Sequence, residues 1–147
     1  MRAVIQRVLQ AAVTVNNETI ASIKKGFLVL VGIHADDTEK DRDYIIKKLL
    51  NIRLFPSEQK NIDKNIKDVD GQLLLVSQFT LYADCSKGNR PSFIDAMPPD
   101  KACAFYQIFV EECKKQYPKT QSGIFGAMME VSLVNDGPVT ILVDSDK

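Results

Sequence analysis

The chain has 147 residues, a formal net charge of zero from 19 basic and 19 acidic side chains, and 45% hydrophobic residues. These values are typical of one globular domain with a hydrophobic core, and the balanced charge argues against extended binding along a nucleic acid backbone. They leave open contact with one short end of an RNA. Pairs such as Lys24-Lys25 and Lys47-Lys48 are, taken alone, typical of a solvated face. No apolar run reaches membrane-spanning length and no signal-peptide core is present, so we expect a cytoplasmic protein without a membrane partner.

The first third of the chain predicts strands and then a helix. FLVLVGI is apolar on both faces and is expected to be a central strand. Thr38, with Asp41 three residues later, is a plausible cap for the helix that follows. The predicted strands and the buried side of that helix are AVIQRV, AAVTV, ETIASI and FLVLVGI, then Ile45, Ile46, Leu49 and Leu50.

The rest of the chain predicts further strands and a second helix. Apolar residues recur at helical spacing after Pro98-Pro99, with Asp100 as the expected cap. The predicted strands are IRLF, LLLVSQFTLYA, GIFGAMMEVSLV and VTILV. The sequence therefore predicts an α+β fold in which a curved, mostly antiparallel, barrel-like β-sheet carries two main helices, within a single domain spanning residues 1–147.

Familiar catalytic machinery is missing from the sequence. His34 is the only histidine, and its place at the end of a buried strand favours a structural role. The three cysteines form no CxxC pair, and no zinc-protease, phosphate-loop or dinucleotide motif occurs, so we expect neither a metal nor a cofactor. The carboxylates are scattered without a spacing that indicates an acid/base pair.

Polar residues interrupt the apolar run LLLVSQFTLYA at Ser77, Gln78 and Thr80. Strand alternation would place Gln78 and Thr80 on one face and Ser77 and Phe79 on the other. One interpretation is a strand end whose polar groups satisfy neighbouring backbone. The other is a pocket whose hydroxyls, amide and backbone N–H groups bind or polarise a carbonyl. No strong base adjoins them, so Ser77 and Thr80 are poor candidates for an activated nucleophile.

Gly137-Pro138 interrupts the last predicted strand region, inside VNDGPVTI. Proline cannot donate to a strand ladder, and Asn-Asp-Gly is ordinary turn material, so a hairpin turn is one interpretation. A rigid corner that presents its carbonyl groups is the other.

Several separated motifs give the chain its resemblance to a known family. SQFTL at 77–81 and NDGPVT at 135–140 are the two specific ones, supported by MRAVIQRV, GNRPSF and GIFGAMMEVSLV. Together they resemble the D-aminoacyl-tRNA deacylases of the bacterial and eukaryotic type, from Met1 to about Val143. Ala83 and Cys85 depart from the family pattern at the rim of the expected pocket without removing a motif.

The resemblance implies a chiral proofreading enzyme that hydrolyses the ester between a D-amino acid, or glycine, and the terminal adenosine of tRNA. It also implies a homodimer with active sites at the subunit interface. Gly137-Pro138 matches a motif with a cis peptide bond that enters the partner's pocket and holds the substrate's α-amino group. An L side chain would then point at protein, whereas a D side chain would point into open space.

The resemblance also assigns roles to individual residues. Ser77, Gln78, Phe79 and Thr80 would line the pocket and position the carbonyl, with Thr80 the traditional catalytic candidate and the RNA 2′-hydroxyl assisting the reaction. Arg7 matches an arginine that braces the Gly-Pro loop. The residues that align with a stretch near the adenosine pocket are Phe125, Gly126, Met128 and Met129.

Three alternatives remain open from the sequence. One is a paralogous editing enzyme for an L-amino acid mischarged on tRNA, although Phe79 and NDGPVT favour the D-specific type. Another is a non-enzymatic module that binds an RNA end, which zero net charge and few aromatic residues make weaker. The last is a structural homodimeric β protein in which Gly137-Pro138 is only a turn.

Overall fold

A six-stranded sheet and two helices form the fold in the computed structural model, which describes residues 1–146. The strands are β1 (Arg2–Val15), β2 (Glu18–Ile23), β3 (Gly26–Gly32), β4 (Gln72–Ser77), β5 (Thr120–Ser122) and β6 (Glu130–Asp144). The helices are α1 (Glu39–Asn51) and α2 (Pro99–Gln116). No helix within residues 1–146 is both long and apolar enough to cross a membrane.

The first three strands form one long antiparallel hairpin. β2 and β3 pair with the same edge of β1 in nearly a single register, in which Ala12 faces Ser22 and Arg2 faces Gly32. The turn at Asn16 and Asn17 has positive φ angles at both residues, which asparagine tolerates better than most side chains. The strands predicted from AVIQRV, AAVTV, ETIASI and FLVLVGI are therefore confirmed, with the first two forming the single strand β1.

The sheet continues from β3 with parallel strands and curves until its edges meet. β4 pairs in parallel with β3, and β5 pairs in parallel with β4. The Gln121 side chain of β5 then pairs with the backbone of Ser22 in β2, donating to its oxygen at 2.6 Å and accepting from its N–H at 3.0 Å. This contact brings the far edges together, so the predicted barrel-like, mostly antiparallel sheet is confirmed.

β6 pairs antiparallel with the other edge of β1 along nearly its whole length. Gln6 faces Thr140 and Val8 faces Asn135, so one residue of β1, Arg7, lies opposite residues 136–139. Gly137-Pro138 is therefore a wide bulge inside one strand. The hairpin interpretation is wrong, because both halves of β6 run in the same direction along the same partner.

The two helices cover the sheet with the apolar faces that the sequence indicates. Thr38 caps α1, and its backbone N–H and hydroxyl both donate to the Asp41 carboxylate at 2.8 Å. α2 buries Ala102, Tyr106, Phe109, Val110 and Cys113. Asp100 lies in the first turn of α2 and is not its cap, since the helix already begins at Pro99.

The structure corrects three strand predictions. β4 ends at Ser77, and Phe79–Tyr82 form a 3₁₀ helix, so the predicted alternation of side chains through residues 77–80 does not occur. IRLF contributes only an isolated bridge between Phe55 and Lys64. The last strand begins at Glu130, which leaves residues 123–129 as a loop. In each case the apolar pattern did not specify the backbone conformation. These segments are only partly buried, since Phe79 is 59% and Met128 90% exposed.

Candidate functional site

The SQFTL segment makes a sharp turn at the carboxyl end of β4. The Gln78 N–H still donates to the Val31 carbonyl at 2.8 Å, and the chain then enters the 3₁₀ helix. Gly32 permits this close approach, because a Cβ there would lie 2.9 Å from the Leu81 Cβ. The first N–H groups of a 3₁₀ helix have no partner within it, so Phe79 and Thr80 present donors at the strand end.

A cavity of about 690 Å³ opens beside this turn. Ser77, Gln78 and Phe79 form one wall of it. The opposite wall is the loop that precedes β6, with Phe125, Gly126, Met128 and Met129. The structure therefore brings together two segments that lie far apart in sequence. The volume of the cavity falls within the range of about 300–1,000 Å³ that is usual for small-molecule sites.

The third wall of the cavity was missed by the sequence reasoning. It comes from Phe93 and from the start of α2, where Met97, Pro98 and Ala102 line the space. Phe93 meets Phe79 edge to face, with ring centroids 4.9 Å apart. These residues belong to or follow GNRPSF, which was noted only as a motif. No periodicity signals such a wall, because it consists of irregular loop and a helix start.

Thr80 lies outside the cavity wall and is exposed. Its hydroxyl accepts a hydrogen bond from the side-chain amide of Gln78. An amide nitrogen is a donor only, so this contact orients the hydroxyl without removing its proton. Gln78 therefore supplies no base to Thr80, and the catalytic role of Thr80 stays a prediction.

Arg2 ties the SQFTL turn to the paired ends of β1 and β6. Its guanidinium donates to the Leu81 carbonyl and to the Asp144 carboxylate, both at 3.0 Å, and lies 4.5 Å from the centre of the Tyr82 ring. Burial alone would raise the pKa of Asp144, but hydrogen bonds from the Asp146 N–H and from Arg2 outweigh it and lower that pKa. The sequence offered no signal for this role of Arg2.

Arg7 contacts the bulge in β6 from the neighbouring strand β1. Its side chain is almost fully buried and donates to the carbonyls of Leu54 at 2.6 Å and Asp136 at 3.1 Å. The Asp136 carboxylate also lies 3.1 Å from its Nε. The guanidinium therefore links the bulge to the loop that follows α1. The bracing role that the resemblance implies for Arg7 stays a prediction.

The bulge itself has a backbone that suits glycine. The Gly137-Pro138 peptide bond is cis, as the resemblance implies, and Gly137 has φ +129°. A Cβ on Gly137 would lie 2.7 Å from the Val139 side chain. Asn135 closes the base of the bulge, because its side-chain amide donates to the carbonyls of Arg7 and Val139, each at 2.9 Å. The sequence reasoning treated Asn135 as turn material and missed this role.

The bulge and the SQFTL turn do not meet within one chain. The turn contacts β1 at Arg2, and the bulge contacts it at Arg7. Five residues of extended strand span roughly 17 Å. Neither Gly137, Pro138 nor Arg7 lines the cavity.

Other chemically capable groups lie away from the cavity. His34 does not line it, and its Nδ1 accepts the Asp36 N–H at 3.2 Å, in keeping with a structural role. Carboxylate oxygens of Asp37, Asp41 and Asp146 lie within 4.8 Å of one another. Asp37 is already paired with the N-terminal ammonium of Met1 at 2.5 Å, and Asp41 with Thr38, so the cluster serves the helix cap and the chain start.

A family model described as D-Tyr-tRNA(Tyr) deacylase matches residues 4–144. The chain belongs to this family. A D-aminoacyl-tRNA deacylase from Clostridium novyi is 53% identical over 147 residues, covering 100% of this chain and 99% of that protein. A D-aminoacyl-tRNA deacylase from Thermotoga petrophila is 50% identical with the same coverage.

Two solved structures have the same fold as this deacylase-family chain. One, described as c-Myc DNA unwinding element binding protein, has a TM-score of 0.93 and 44% identity, with 98% of each chain covered. The other, described as a probable eukaryotic D-amino acid tRNA deacylase, has a TM-score of 0.86 at 18% identity, with 97% of each chain covered. At 18% identity, the second similarity supports the fold alone.

Proposed function

We propose that residues 1–147 form one D-aminoacyl-tRNA deacylase domain that hydrolyses the ester between a D-amino acid and the terminal adenosine of tRNA. Glycine mischarged on tRNA-Ala would be a second substrate, and the enzyme would proofread charged tRNA in the cytoplasm. The observation that carries the proposal is the cavity in which the SQFTL segment faces residues 125–129. Membership of the family supplies the reaction class.

The cavity walls suit the terminal nucleoside of the RNA. They are largely apolar and aromatic, with Ser77 and Gln78 as the polar groups beside Phe79. An adenine ring would be desolvated against Phe125, Met128 and Met129, while the ribose and ester would lie toward the polar strand end. Ser77, Gln78 and Phe79 would position the ester carbonyl there, with Thr80 oriented by Gln78.

The active form would be a homodimer in which each bulge enters the partner's cavity. This arrangement explains why one chain keeps Gly137-Pro138 about 17 Å along β1 from its own SQFTL turn. A twofold interface is reciprocal, so one insertion implies the second. The strands beside the bulge expose apolar side chains that such an interface would cover: Leu9 is 54% exposed, Val134 44% and Leu142 59%.

Chirality would be selected by the backbone of the inserted bulge. The carbonyls of Gly137 and Pro138 would accept the substrate's α-ammonium, and Arg7 and Asn135 would keep them in place. With the ammonium and ester both fixed, the two enantiomers send their side chains in different directions. Only the D side chain would reach open space, so the site needs no contact specific to one amino acid.

The chemistry would not need a protein nucleophile. Water would attack the ester carbonyl, the bond to the 3′ oxygen would break, and the RNA 2′-hydroxyl would help move the proton to that oxygen. The protein would orient the carbonyl and exclude bulk water. A proton transfer by the RNA hydroxyl is compatible with the Gln78–Thr80 contact, because that contact supplies no base.

Two other functions would give different results with charged tRNA. A paralogous editing enzyme would cleave an L-aminoacyl ester at the same site. A non-enzymatic module would bind an RNA end without hydrolysing it; one structural relative is described as a DNA unwinding element binding protein. Membership of the deacylase family favours hydrolysis over binding alone.

The test is to incubate the protein with D-Tyr-tRNA and L-Tyr-tRNA and to follow release of the amino acid. Rapid release from the D-ester with the L-ester intact supports the proposal. Preference for the L-ester would indicate the paralogous activity. Release from neither, together with retention of the RNA, would indicate a binding module.

A further inference from the structure

A second cavity, of about 760 Å³, crosses the other end of the sheet. It reaches Gln72 at the start of β4, whereas the candidate site reaches Ser77 at its end. Its floor is made of small side chains, since Ala12 pairs with Ser22 on one side and Ser132 on the other. We call it the lysine groove; Lys24, Lys25 and Lys119 line it.

The groove carries positive charge that the rest of the chain does not neutralise. Among residues 1–146, neither Lys24 nor Lys25 has a carboxylate within ion-pair distance, whereas Lys119 pairs with Asp70 at 2.5 Å. The Lys25 ammonium lies 5.6 Å from the centre of the Phe55 ring. In a chain of zero net charge, two unpaired lysines at the rim of one groove favour an anionic ligand.

The groove also lies next to the bulge. Its β6 edge ends at Val134, and Asn135 begins the segment that carries Gly137-Pro138. On β1, Gln10 belongs to the groove and Arg7 braces the bulge. In the homodimer of the proposed function, the groove of one subunit would therefore lie beside the mouth of the partner's cavity. That is where the RNA chain must leave after its terminal nucleotide.

We propose that the lysine groove binds the phosphodiester backbone of the RNA substrate just upstream of its terminal adenosine. The inference rests on the proposed function, because it takes the charged RNA as the ligand. Lys24 and Lys25 each neutralise one phosphate, and the small floor residues let the backbone approach the sheet. The groove thus recognises RNA without reading its bases, which suits an enzyme that acts on many tRNAs.

The test compares two double variants with the same loss of charge. Lys24→Gln/Lys25→Gln removes the groove charges, and Lys47→Gln/Lys48→Gln removes an exposed pair on α1 as the control. Steady-state kinetics are measured with D-Tyr-tRNA and with D-tyrosyl-adenosine, which is too short to reach the groove. We expect the groove variant to raise KM for the tRNA about tenfold at about 50 mM salt, with little change in kcat. The short substrate and the control variant should behave as the wild type does.

Salt dependence gives the sharper result. Each phosphate contact to single-stranded RNA contributes about 0.7 to the slope of log affinity against log salt, so the groove variant should lose about 1.4. An unchanged slope, or an equal loss in both variants, would overturn the proposal. The same slopes measured by fluorescence anisotropy with uncharged tRNA need no hydrolysis. If the wild type shows this groove-dependent binding but no deacylation, the proposed function is wrong, whereas the assignment of the groove as an RNA-binding site stands.

Discussion

Replacing Arg7 with methionine tests whether this side chain braces the bulge. Methionine keeps an apolar stem of similar length but donates no hydrogen bond. The change removes the contacts to Leu54 and Asp136 at 2.6 and 3.1 Å and leaves the Leu54 carbonyl buried without a partner. Leaving a buried carbonyl unpaired costs about 1–3 kcal/mol, and a hydrogen bond from a charged group contributes about 1.5–3 kcal/mol. We therefore expect Arg7→Met to lower the free energy of unfolding by about 3 kcal/mol or more, a large share of a typical domain's stability.

Arg53 provides a matched control in the same chain. It also contacts a backbone carbonyl and a carboxylate, both of Asp63, but its side chain is 64% exposed. Arg53→Met should therefore cost about 1 kcal/mol or less. Urea unfolding of the two variants measures the difference. Arg7→Lys should lose an intermediate amount, because one ammonium can reach only one of the carbonyls. Equal losses for Arg7→Met and Arg53→Met would refute the bracing role.

Three further predictions concern chemistry and pH. A D-aminoacyl-tRNA ending in 2′-deoxyadenosine should be a much poorer substrate in single-turnover hydrolysis, and normal turnover would return the catalytic role to Thr80. Hydrogen bonds from the Thr38 N–H and hydroxyl outweigh burial and lower the pKa of Asp41 to about 2. The stability that the Asp41 carboxylate contributes is therefore complete above the unfolded-state pKa of 3.8 and declines as pH falls toward 2. Asp41→Asn should therefore lose stability relative to the wild type at pH 6 but not at pH 2 in urea melts, and a constant difference would contradict the sign. Burial raises the pKa of Cys113 to about 12, so a thiol reagent at pH 8 should label exposed Cys85 in the native protein and Cys113 only after unfolding.

The strands near the N-terminus and both helices could be predicted from the sequence because local patterns determine them. Alternation and the Asn16-Asn17 turn specify the pairing of β1 with β2. The helical spacing of Ala102, Tyr106 and Phe109 specifies the buried face of α2. The barrel-like curvature agreed with the expectation, but the Gln121–Ser22 contact that joins its edges is long-range and leaves no local pattern.

The candidate site was predictable only where a motif existed. Ser77 and Gln78 were candidates because they interrupt an apolar run, and the structure places them at one cavity with residues that the resemblance added: Phe79, Phe125, Gly126, Met128 and Met129. The wall containing Phe93 and Met97 had no signal, because loop residues that pack together follow no period. Arg2 and Asn135 were missed for another reason: each depends on a partner far away in sequence, 142 residues for Arg2 with Asp144 and 128 for Asn135 with Arg7.

The central claim is that each active site takes its cavity from one chain and its bulge from the other. It can be tested by co-expressing two inactive variants under different tags: Gly137→Ala, which disturbs the bulge, and Gln78→Ala/Thr80→Ala, which disturbs the cavity side. In a random mixture half of the dimers are mixed, and each mixed dimer holds one intact site. We therefore expect the mixture to recover about one quarter of the wild-type deacylation of D-Tyr-tRNA. Mixed dimers, purified through both tags, that stay as inactive as either parent would contradict it.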